Sequence, residues 1–278
     1  PALEWKQFDL VSILEPYFPF PIVIENDVNC ALIGEYSSGS AKGCDSVFFI
    51  SIGTGLGSAI MVNGKLIYGV KNMAGEIGYQ LDKDDYKNGK LNAIGQFGIT
   101  ENKVSGTALG KKFFSSEKLF VKIKENDPSA LKVFDEFLID LCILISNIIC
   151  LLNPEKVILG GGLSFAIEPY LDDIKEKVTS MVPVITQIEL SKLGEQAVAF
   201  GAAINVLEMP LEAKVAFTQF KVNLVQAALG TVGIGGGKWS DVWEDAWDNA
   251  KDLVPVYGGH LFYDDIFVNE DWFQGEFE

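Results

Sequence analysis

The chain has 278 residues, 48% of them hydrophobic, which is enough for one large domain or two ordinary domains with a packed core. Its formal net charge is −16, and such a surface disfavours nucleic acid and anionic membranes, because both select basic patches. All 22 basic residues are lysine, so we expect a bound phosphate to be held by backbone N–H groups, lysine or a metal ion rather than by arginine.

The cysteines and the apolar segments indicate a reduced, cytoplasmic protein. The four cysteines, at positions 30, 44, 142 and 150, form no C-x-x-C pair. The first ten residues, PALEWKQFDL, have neither the basic region nor the apolar region of a signal peptide. The most apolar run, residues 141–152, is shorter than the ~20 residues that span a bilayer. It is predicted to be part of a buried helix.

The first half of the chain predicts strands that end in polar or glycine-rich turns. Residues 18–26 form a β-branched run, predicted to be a buried strand that ends at Asn26 and Asp27. A helix follows over 28–36, and residues 46–53 predict a second buried strand. Apolar runs on both sides of Asn63-Gly64 predict a hairpin with a two-residue turn.

The second half alternates in the same way. Residues 130–152 and 165–180 predict helices, 155–162 and 182–190 predict strands, and 195–208 predict a helix rich in small residues. The alternation of strands and helices indicates an α/β protein.

The composition changes after Pro210. Residues 211–278 hold 12 acidic and 4 basic residues and four of the five tryptophans. Trp239, Trp243 and Trp247 recur every fourth residue, which predicts an amphipathic helix capped by Ser240. Packing of these tryptophans on the chain's own core is favoured over a partner-binding face.

Five short segments carry candidate chemistry. In I-E-N-D, residues 24–27, a carboxylate at the end of a buried strand is expected to be rigid and partly desolvated, which suits a general base; capping of the next helix is the alternative. In G-T-G-L-G, residues 53–57, the glycines let the backbone approach an anion. Glu76 lies in A-G-E-I-G-Y, Glu101 ends I-G-Q-F-G-I-T-E, and L-G-G-G covers 159–162. Each segment could also be a plain turn.

Taken together and in this order, the five segments resemble the ROK family (repressors, open reading frames and sugar kinases). The resemblance covers about residues 1–208 and includes the small-residue helix at F-G-A-A, residues 200–203. It implies an actin-like, ribonuclease-H-like ATPase fold with a large lobe over 28–194 and a partial small lobe from 1–27 and 195–208. Residues 211–278 form an unmatched extension, expected to be separable from the sugar site.

The resemblance also implies the role of each site residue. Asp27 would be the base that activates a sugar hydroxyl. Substrate hydroxyls would be bound by four further residues: Asn26, Glu76, Tyr79 and Glu101. ATP, which brings Mg²⁺ with it, would contact two glycine-rich turns: Gly53, Thr54 and Gly55, and Gly160, Gly161 and Gly162. Several carboxylates crowded into one cleft should leave at least one with a raised pKa.

The sequence departs from the family pattern in its cysteine-rich zinc loop. Asn92, Ile94 and Ile99 occupy the cysteine positions, and Tyr79 occupies the position of the usual histidine. Tetrahedral zinc needs thiolate or imidazole ligands, so no zinc is expected. The loop is expected to keep its sugar-facing Glu101, with Tyr79 at the cleft edge replacing a hydrogen bond of the histidine.

A second departure concerns the D-x-G-G-T phosphate loop, which the family carries well before E-N-D and which this sequence does not match. The glycine-rich GIGGGK, residues 233–238, is followed by Trp239 instead of Ser or Thr and is not a P-loop.

The leading interpretation is a cytoplasmic, homodimeric, ATP-dependent kinase acting on the 6-hydroxyl of a hexose or N-acetylhexosamine. N-acetylmannosamine is the first candidate, followed by glucose or a β-glucoside, and no nucleic-acid or membrane partner is expected. The alternatives are a ROK-type transcriptional regulator or sugar sensor, and a non-catalytic kinase remnant.

Overall fold

The computed structural model describes residues 9–17, 22–90, 92 and 96–207. The predicted tryptophan helix and the rest of the extension at 211–278 lie outside the described residues. None of the described helices is long and apolar enough to cross a bilayer. All four cysteines are free thiols.

A five-stranded mixed sheet forms the centre of the described structure, in the spatial order β3-β2-β1-β4-β5. Strands β1 and β2 pair antiparallel, whereas β1–β4 and β4–β5 pair parallel. The strands are Ser46–Ile52 (β1), Leu56–Val62 (β2), Lys65–Leu66 (β3), Lys156–Gly160 (β4) and Gln187–Leu190 (β5). The hairpin turn at Asn63-Gly64 has positive φ at both residues, as the Asn-Gly signal predicts.

Nine helices are described among these residues, together with five short 3₁₀ turns. They are Leu10–Leu14 (α1), Asp27–Ser38 (α2), Lys83–Lys87 (α3), Gly106–Phe113 (α4), Ser116–Lys124 (α5), Pro128–Leu152 (α6), Ser164–Ile167 (α7), Leu171–Met181 (α8) and Ala197–Leu207 (α9). The 3₁₀ turns are Glu15–Tyr17, Val70–Asn72, Ile77–Tyr79, Glu168–Tyr170 and Gly194–Gln196.

Both faces of the sheet are covered, because alternate side chains of each central strand enter different cores. On β1, Phe48 and Ile50 pack into the larger core with α4, α5, α6 and α8. The intervening Phe49 packs with α2 and with Ala197 of α9 on the opposite face. This two-sided burial explains why the strand is almost continuously apolar.

Helix α2, which begins at Asp27, is attached to the body of the protein at two places along its length. A Cβ added at Gly201 of α9 would overlap the backbone oxygen of Cys30, so only glycine allows this close crossing of the two helices. Near the other end of α2, the fully buried Glu35 accepts hydrogen bonds from the Ser191 hydroxyl (2.6 Å) and the Leu193 amide (2.8 Å). These contacts hold the start of α2 in a fixed place.

Three predicted elements differ from the structure. Residues 22–26 form no strand; they pair with none of the five strands, and Ile24 is 52% exposed. The apolar run predicts a buried strand, but without a paired neighbour its backbone has no ladder of hydrogen bonds to join. The strand predicted over 182–190 is confined to β5, and the helix predicted over 165–180 is divided by a 3₁₀ turn at Glu168–Tyr170, where Pro169 interrupts the hydrogen-bond ladder.

Candidate active site

The segment E-N-D starts helix α2. Asn26 is the N-cap, and its Oδ1 accepts hydrogen bonds from the amides of Val28 (2.9 Å) and Asn29 (3.2 Å). The capping alternative therefore holds for Asn26. Asp27 is the first helical residue, and its side chain is exposed rather than partly desolvated, because the expected buried strand before it is absent. A carboxylate in the first turn of a helix lies near the positive end of the helix dipole.

Glu25 connects this segment to a distant loop. Its Oε1 accepts hydrogen bonds from the Asn26 amide and the Asn29 side chain, both at 2.8 Å. Its Oε2 accepts one from the Tyr68 hydroxyl at 2.9 Å. Burial and this carboxylate raise the pKa of Tyr68 to about 12, so the phenol remains a donor at neutral pH. Tyr68 precedes the loop that carries Glu76, and it therefore links Asp27's segment to that loop.

Glu101 is held by backbone amides from two directions. Its Oε1 accepts a hydrogen bond from the Leu56 amide, and its Oε2 accepts one from the Gly98 amide, both at 3.0 Å. A side chain at Gly55 would overlap Oε1, so this glycine makes room for the carboxylate. Glu101 thus lies directly against the G-T-G-L-G turn.

Glu76 lies in the segment that packs against Glu101, where a Cβ added at Gly78 would lie 3.3 Å from Glu101 Cβ. Partial burial first, and the neighbouring Glu101 charge second, raise the pKa of the Glu76 carboxyl above its usual value. A raised carboxyl pKa is thus found at Glu76, with burial as the larger cause and the crowding that the sequence predicted as the smaller one. The backbone just before Glu76 is held by Ser58, whose hydroxyl donates to the Gly75 carbonyl at 2.5 Å.

Tyr79 contacts the loop that carries Glu101. Its hydroxyl donates to the backbone oxygen of Gln96 at 3.1 Å. Contact with a substrate stays a prediction for this residue.

A cavity of about 460 Å³ lies on the other side of the turn, within the usual size range of small-ligand sites. It is lined by small and polar residues with one acidic group and no lysine: Gly53, Thr54, Gly106, Thr107, Gly110, Ser115, Ser116, Glu117, Gly162 and Leu163. The first turns of α4 and α5 contribute to this wall, and helix N-termini favour anions. The lining suits a phosphate held by backbone and hydroxyl groups.

The three glycines at the end of β4 have different surroundings. Only Gly162 lines the cavity. Gly160 is buried, and a side chain there would overlap the Phe49 ring. Gly161 has φ +82°, and a Cβ would lie 2.5 Å from the Ile52 backbone oxygen. Gly160 and Gly161 therefore serve strand packing and a tight turn.

The turn at residues 53–57 contacts the cavity, Glu101 and the start of α2. Gly53 and Thr54 line the cavity, whereas Gly55 and Leu56 contact Glu101. At Gly57 an added Cβ would lie 2.8 Å from Val28 Cγ2, and Val28 follows Asp27 directly. One short turn thus lies between the cavity and the Glu101 carboxylate.

Sequence reasoning missed the α4–α5 side of the cavity and the Glu25–Tyr68 bond. Ser105-Gly106-Thr107 and Ser115-Ser116-Glu117 each place a serine at an N-cap, with its hydroxyl accepting from the amide three residues later. That capping pattern was available as a signal in the sequence. For Tyr68 the sequence offers no signal, because the contact depends on the tertiary fold.

No group of three or more His, Cys, Asp or Glu side chains suited to a metal ion occurs within the described ranges. Mg²⁺ does not need such a group, since it commonly binds through substrate phosphates, water and one or two carboxylates.

The chain resembles both sugar kinases and repressors. It is 32% identical over 193 residues to a glucokinase from Halalkalibacterium halodurans, covering 63% of this chain and 58% of that protein. It is 31% identical over 218 residues to a xylose repressor from Bacillus spizizenii, covering 75% of this chain and 56% of the repressor. The chain thus spans rather more than half the length of these two relatives.

A solved structure shares the fold. The ROK family glucokinase from Streptomyces griseus, crystallised with glucose and AMPPNP, aligns with a TM-score of 0.63 at 26% identity and covers 73% of each chain. The model of the ROK family matches residues 1–209. The chain therefore belongs to the ROK family and has the actin-like ATPase fold of its sugar kinases.

Proposed function

We propose that this protein is an ATP-dependent kinase that phosphorylates a hexose or N-acetylhexosamine, with the 6-hydroxyl as the acceptor. The observation that carries the proposal is the 53–57 turn, which has a cavity suited to phosphates on one side and acidic side chains on the other. Phosphoryl transfer requires the acceptor hydroxyl of the sugar and the γ-phosphate of ATP to meet in line. Catalysis then comes mainly from positioning the two substrates and neutralising charge.

Asp27 is the general base in this proposal. Its exposure leaves the carboxylate open to a ligand, and the N-terminus of α2 fixes the backbone that carries it. A base placed within hydrogen-bond reach of the acceptor hydroxyl takes its proton as the bond to phosphorus forms. Glu76 and Glu101 accept hydrogen bonds from other hydroxyls, and Asn26 retains its amide N–H₂ group as a donor because only its oxygen is used in the cap.

The nucleotide occupies the cavity in this proposal. Gly53 and Thr54 face the phosphates, and Gly162 lies near the adenosine. Since no arginine exists in the chain and no lysine lines the cavity, phosphate charge is met by backbone N–H groups, hydroxyls and the Mg²⁺ that accompanies ATP.

The experiment is a kinase assay of the full-length gene product against N-acetylmannosamine, glucose and a β-glucoside, with ATP and Mg²⁺. Phosphorylation of at least one sugar is expected, at the 6-hydroxyl. Failure with every hexose and hexosamine tested, by protein that is folded, would contradict the proposal.

A regulator is the second candidate, supported by the similarity to a xylose repressor. The net charge of −16 makes DNA contact by this chain unfavourable, so such a regulator would need a basic DNA-binding segment elsewhere in the full-length protein. Sugar binding without phosphoryl transfer, together with specific DNA binding by the full-length protein, would favour the regulator.

A further inference from the structure

The loop that carries Glu101 is attached to the segment before α3 by backbone contacts. The amides of Thr100 and Glu101 both donate to the Gly78 carbonyl, at 3.0 and 3.2 Å. The Thr100 hydroxyl donates to the Gln80 carbonyl at 2.7 Å. An added Cβ at Gly98 would overlap the backbone of Gly78, so the two segments are as close as main chains can pack.

Asn92 bridges these two segments with its side chain. Its Nδ2 donates to the Tyr79 carbonyl at 2.6 Å, on the first segment. Its Oδ1 accepts a hydrogen bond from the Ile99 amide at 3.1 Å, on the second. Both functions of the amide group are thus used on backbone groups, one on each side.

The second of these bonds leads directly to Glu101. The amide held by Asn92 belongs to Ile99, and the preceding amide, that of Gly98, donates to Glu101 Oε2. A displacement of this backbone would remove one of the two hydrogen bonds that orient the Glu101 carboxylate. The bond from Leu56 would remain.

A charge cluster fixes the chain just after Glu101. The Lys103 ammonium contacts carboxylate oxygens of Asp82 and Asp85, both at 2.6 Å, and the Asp85 side chain is only 2% exposed. The Asn102 side chain also donates to the Gly98 carbonyl at 3.0 Å, so the carbonyl side of this backbone is held from after Glu101. Asn92 is the side chain that holds the amide of Ile99 from before it.

We propose that Asn92 is a positioning residue for Glu101: by bridging the Tyr79 carbonyl and the Ile99 amide, it sets the carboxylate for binding of sugar hydroxyls. The inference rests on the proposed function. Asn92 is exposed and has no substrate contact of its own in this proposal. It affects the affinity for the sugar but not the affinity for the nucleotide.

The test is calorimetric titration of the full-length protein with a hexose and, separately, with AMPPNP. Asn92→Ala should weaken hexose affinity about tenfold, the effect expected when one or two hydrogen bonds are lost. AMPPNP affinity should stay within about twofold, since the cavity does not involve this loop. Asn88→Ala is the matched control, because Asn88 is an exposed asparagine at the C-cap of α3 whose side chain bonds to none of the described residues, and it should change neither affinity.

A second variant keeps the inference testable if Asn92→Ala does not fold. Asn92→Asp retains an acceptor for Ile99 but sets a carboxylate oxygen against the Tyr79 carbonyl, so hexose affinity should again fall. Hydrogen exchange gives an independent readout: the Ile99 amide should exchange faster in Asn92→Ala than in the wild type and the control.

The outcomes separate the inference from the function on which it rests. A folded Asn92→Ala protein with unchanged hexose affinity, or with hexose and AMPPNP affinity lowered equally, would overturn the positioning role alone. Wild-type protein that binds AMPPNP but none of the hexoses or N-acetylhexosamines would overturn the proposed function and this role with it.

Discussion

The two sides of the 53–57 turn are built differently. On the cavity side, Gly53 and Gly162 follow two adjacent parallel strands, β1 and β4, and their backbone geometry is fixed by the sheet. On the acidic side, Glu76 and Glu101 lie on irregular segments that are held by side-chain and backbone hydrogen bonds. If the cavity binds the nucleotide and the acidic side binds the sugar, as proposed, nucleotide binding should tolerate side-chain changes nearby, whereas sugar binding should be sensitive to single residues.

The largest effect is expected at Asp27. Replacement of Asp27 by Asn removes the base but keeps the shape and the helix start, so sugar and nucleotide affinity should change little while kcat falls by roughly 10²–10⁴. Steady-state kinetics with the best sugar measure this. Near-normal turnover by the folded variant would remove Asp27 from the mechanism.

A matched pair of glycine variants tests the difference between the two sides directly. In Gly55→Ala the new methyl group overlaps Glu101 Oε1, which can swing away at low cost to the fold but loses its bond to Leu56. The KM for sugar should rise roughly tenfold or more, because a hydrogen bond to a charged group is lost. In Gly53→Ala the nearest atom is the Gly162 amide at 4.0 Å, so any effect should fall on the KM for ATP.

Equal effects of the two glycine variants on both KM values would contradict the division of the turn. Circular dichroism of both variants is the control for folding.

A smaller effect is expected at Glu76, where function and stability should change in opposite directions. Its raised pKa means that the folded protein disfavours the charged carboxylate, so the stability contribution is present at low pH and is lost as pH rises through the folded pKa. Glu76→Gln should therefore raise the Tm at pH 7 slightly, by no more than about 2 °C, and the gain should disappear on acidification. Hexose affinity should fall, because a neutral amide is a weaker acceptor than a carboxylate. A lower Tm at pH 7 would contradict the assignment.

The smallest effect is expected from chelators. Because Asn92 and Ile99 stand at cysteine positions of the family's zinc loop, elemental analysis should find zinc far below stoichiometric amounts. EDTA should leave the Tm unchanged. Stoichiometric zinc, or a chelator-dependent loss of stability, would contradict the sequence interpretation of this loop.

The sequence predicted the elements whose signals are local. Strand β1 has an almost continuous apolar run, the Asn63-Gly64 turn has positive φ at both residues, and the helix predicted over 130–152 is α6, Pro128–Leu152. The strand predicted before Asp27 was wrong, because an apolar run becomes a strand only beside a pairing partner.

The hydrogen-bond partners of the site could not be predicted. Tyr68 donates a hydrogen bond to Glu25, 43 positions away in the sequence, and Leu56 donates one to Glu101, 45 positions away. The residue types involved do not predict such contacts. A raised carboxyl pKa was predictable in kind, since neighbouring carboxylates repel each other, but burial decides that Glu76 is the one that carries it. The lobe boundaries and the separate extension at 211–278 stay predictions.

The most direct test of the proposed kinase mechanism is a crystal structure of the full-length protein with a hexose and AMPPNP. The mechanism predicts a sugar hydroxyl within about 2.6–3.2 Å of the Asp27 carboxylate. Glu76 and Glu101 should accept from other hydroxyls of the same ring, with the phosphates against Gly53 and Thr54. A hexose bound away from Asp27, or carboxylates of Asp27 and Glu76 too far apart to touch one sugar, would contradict it.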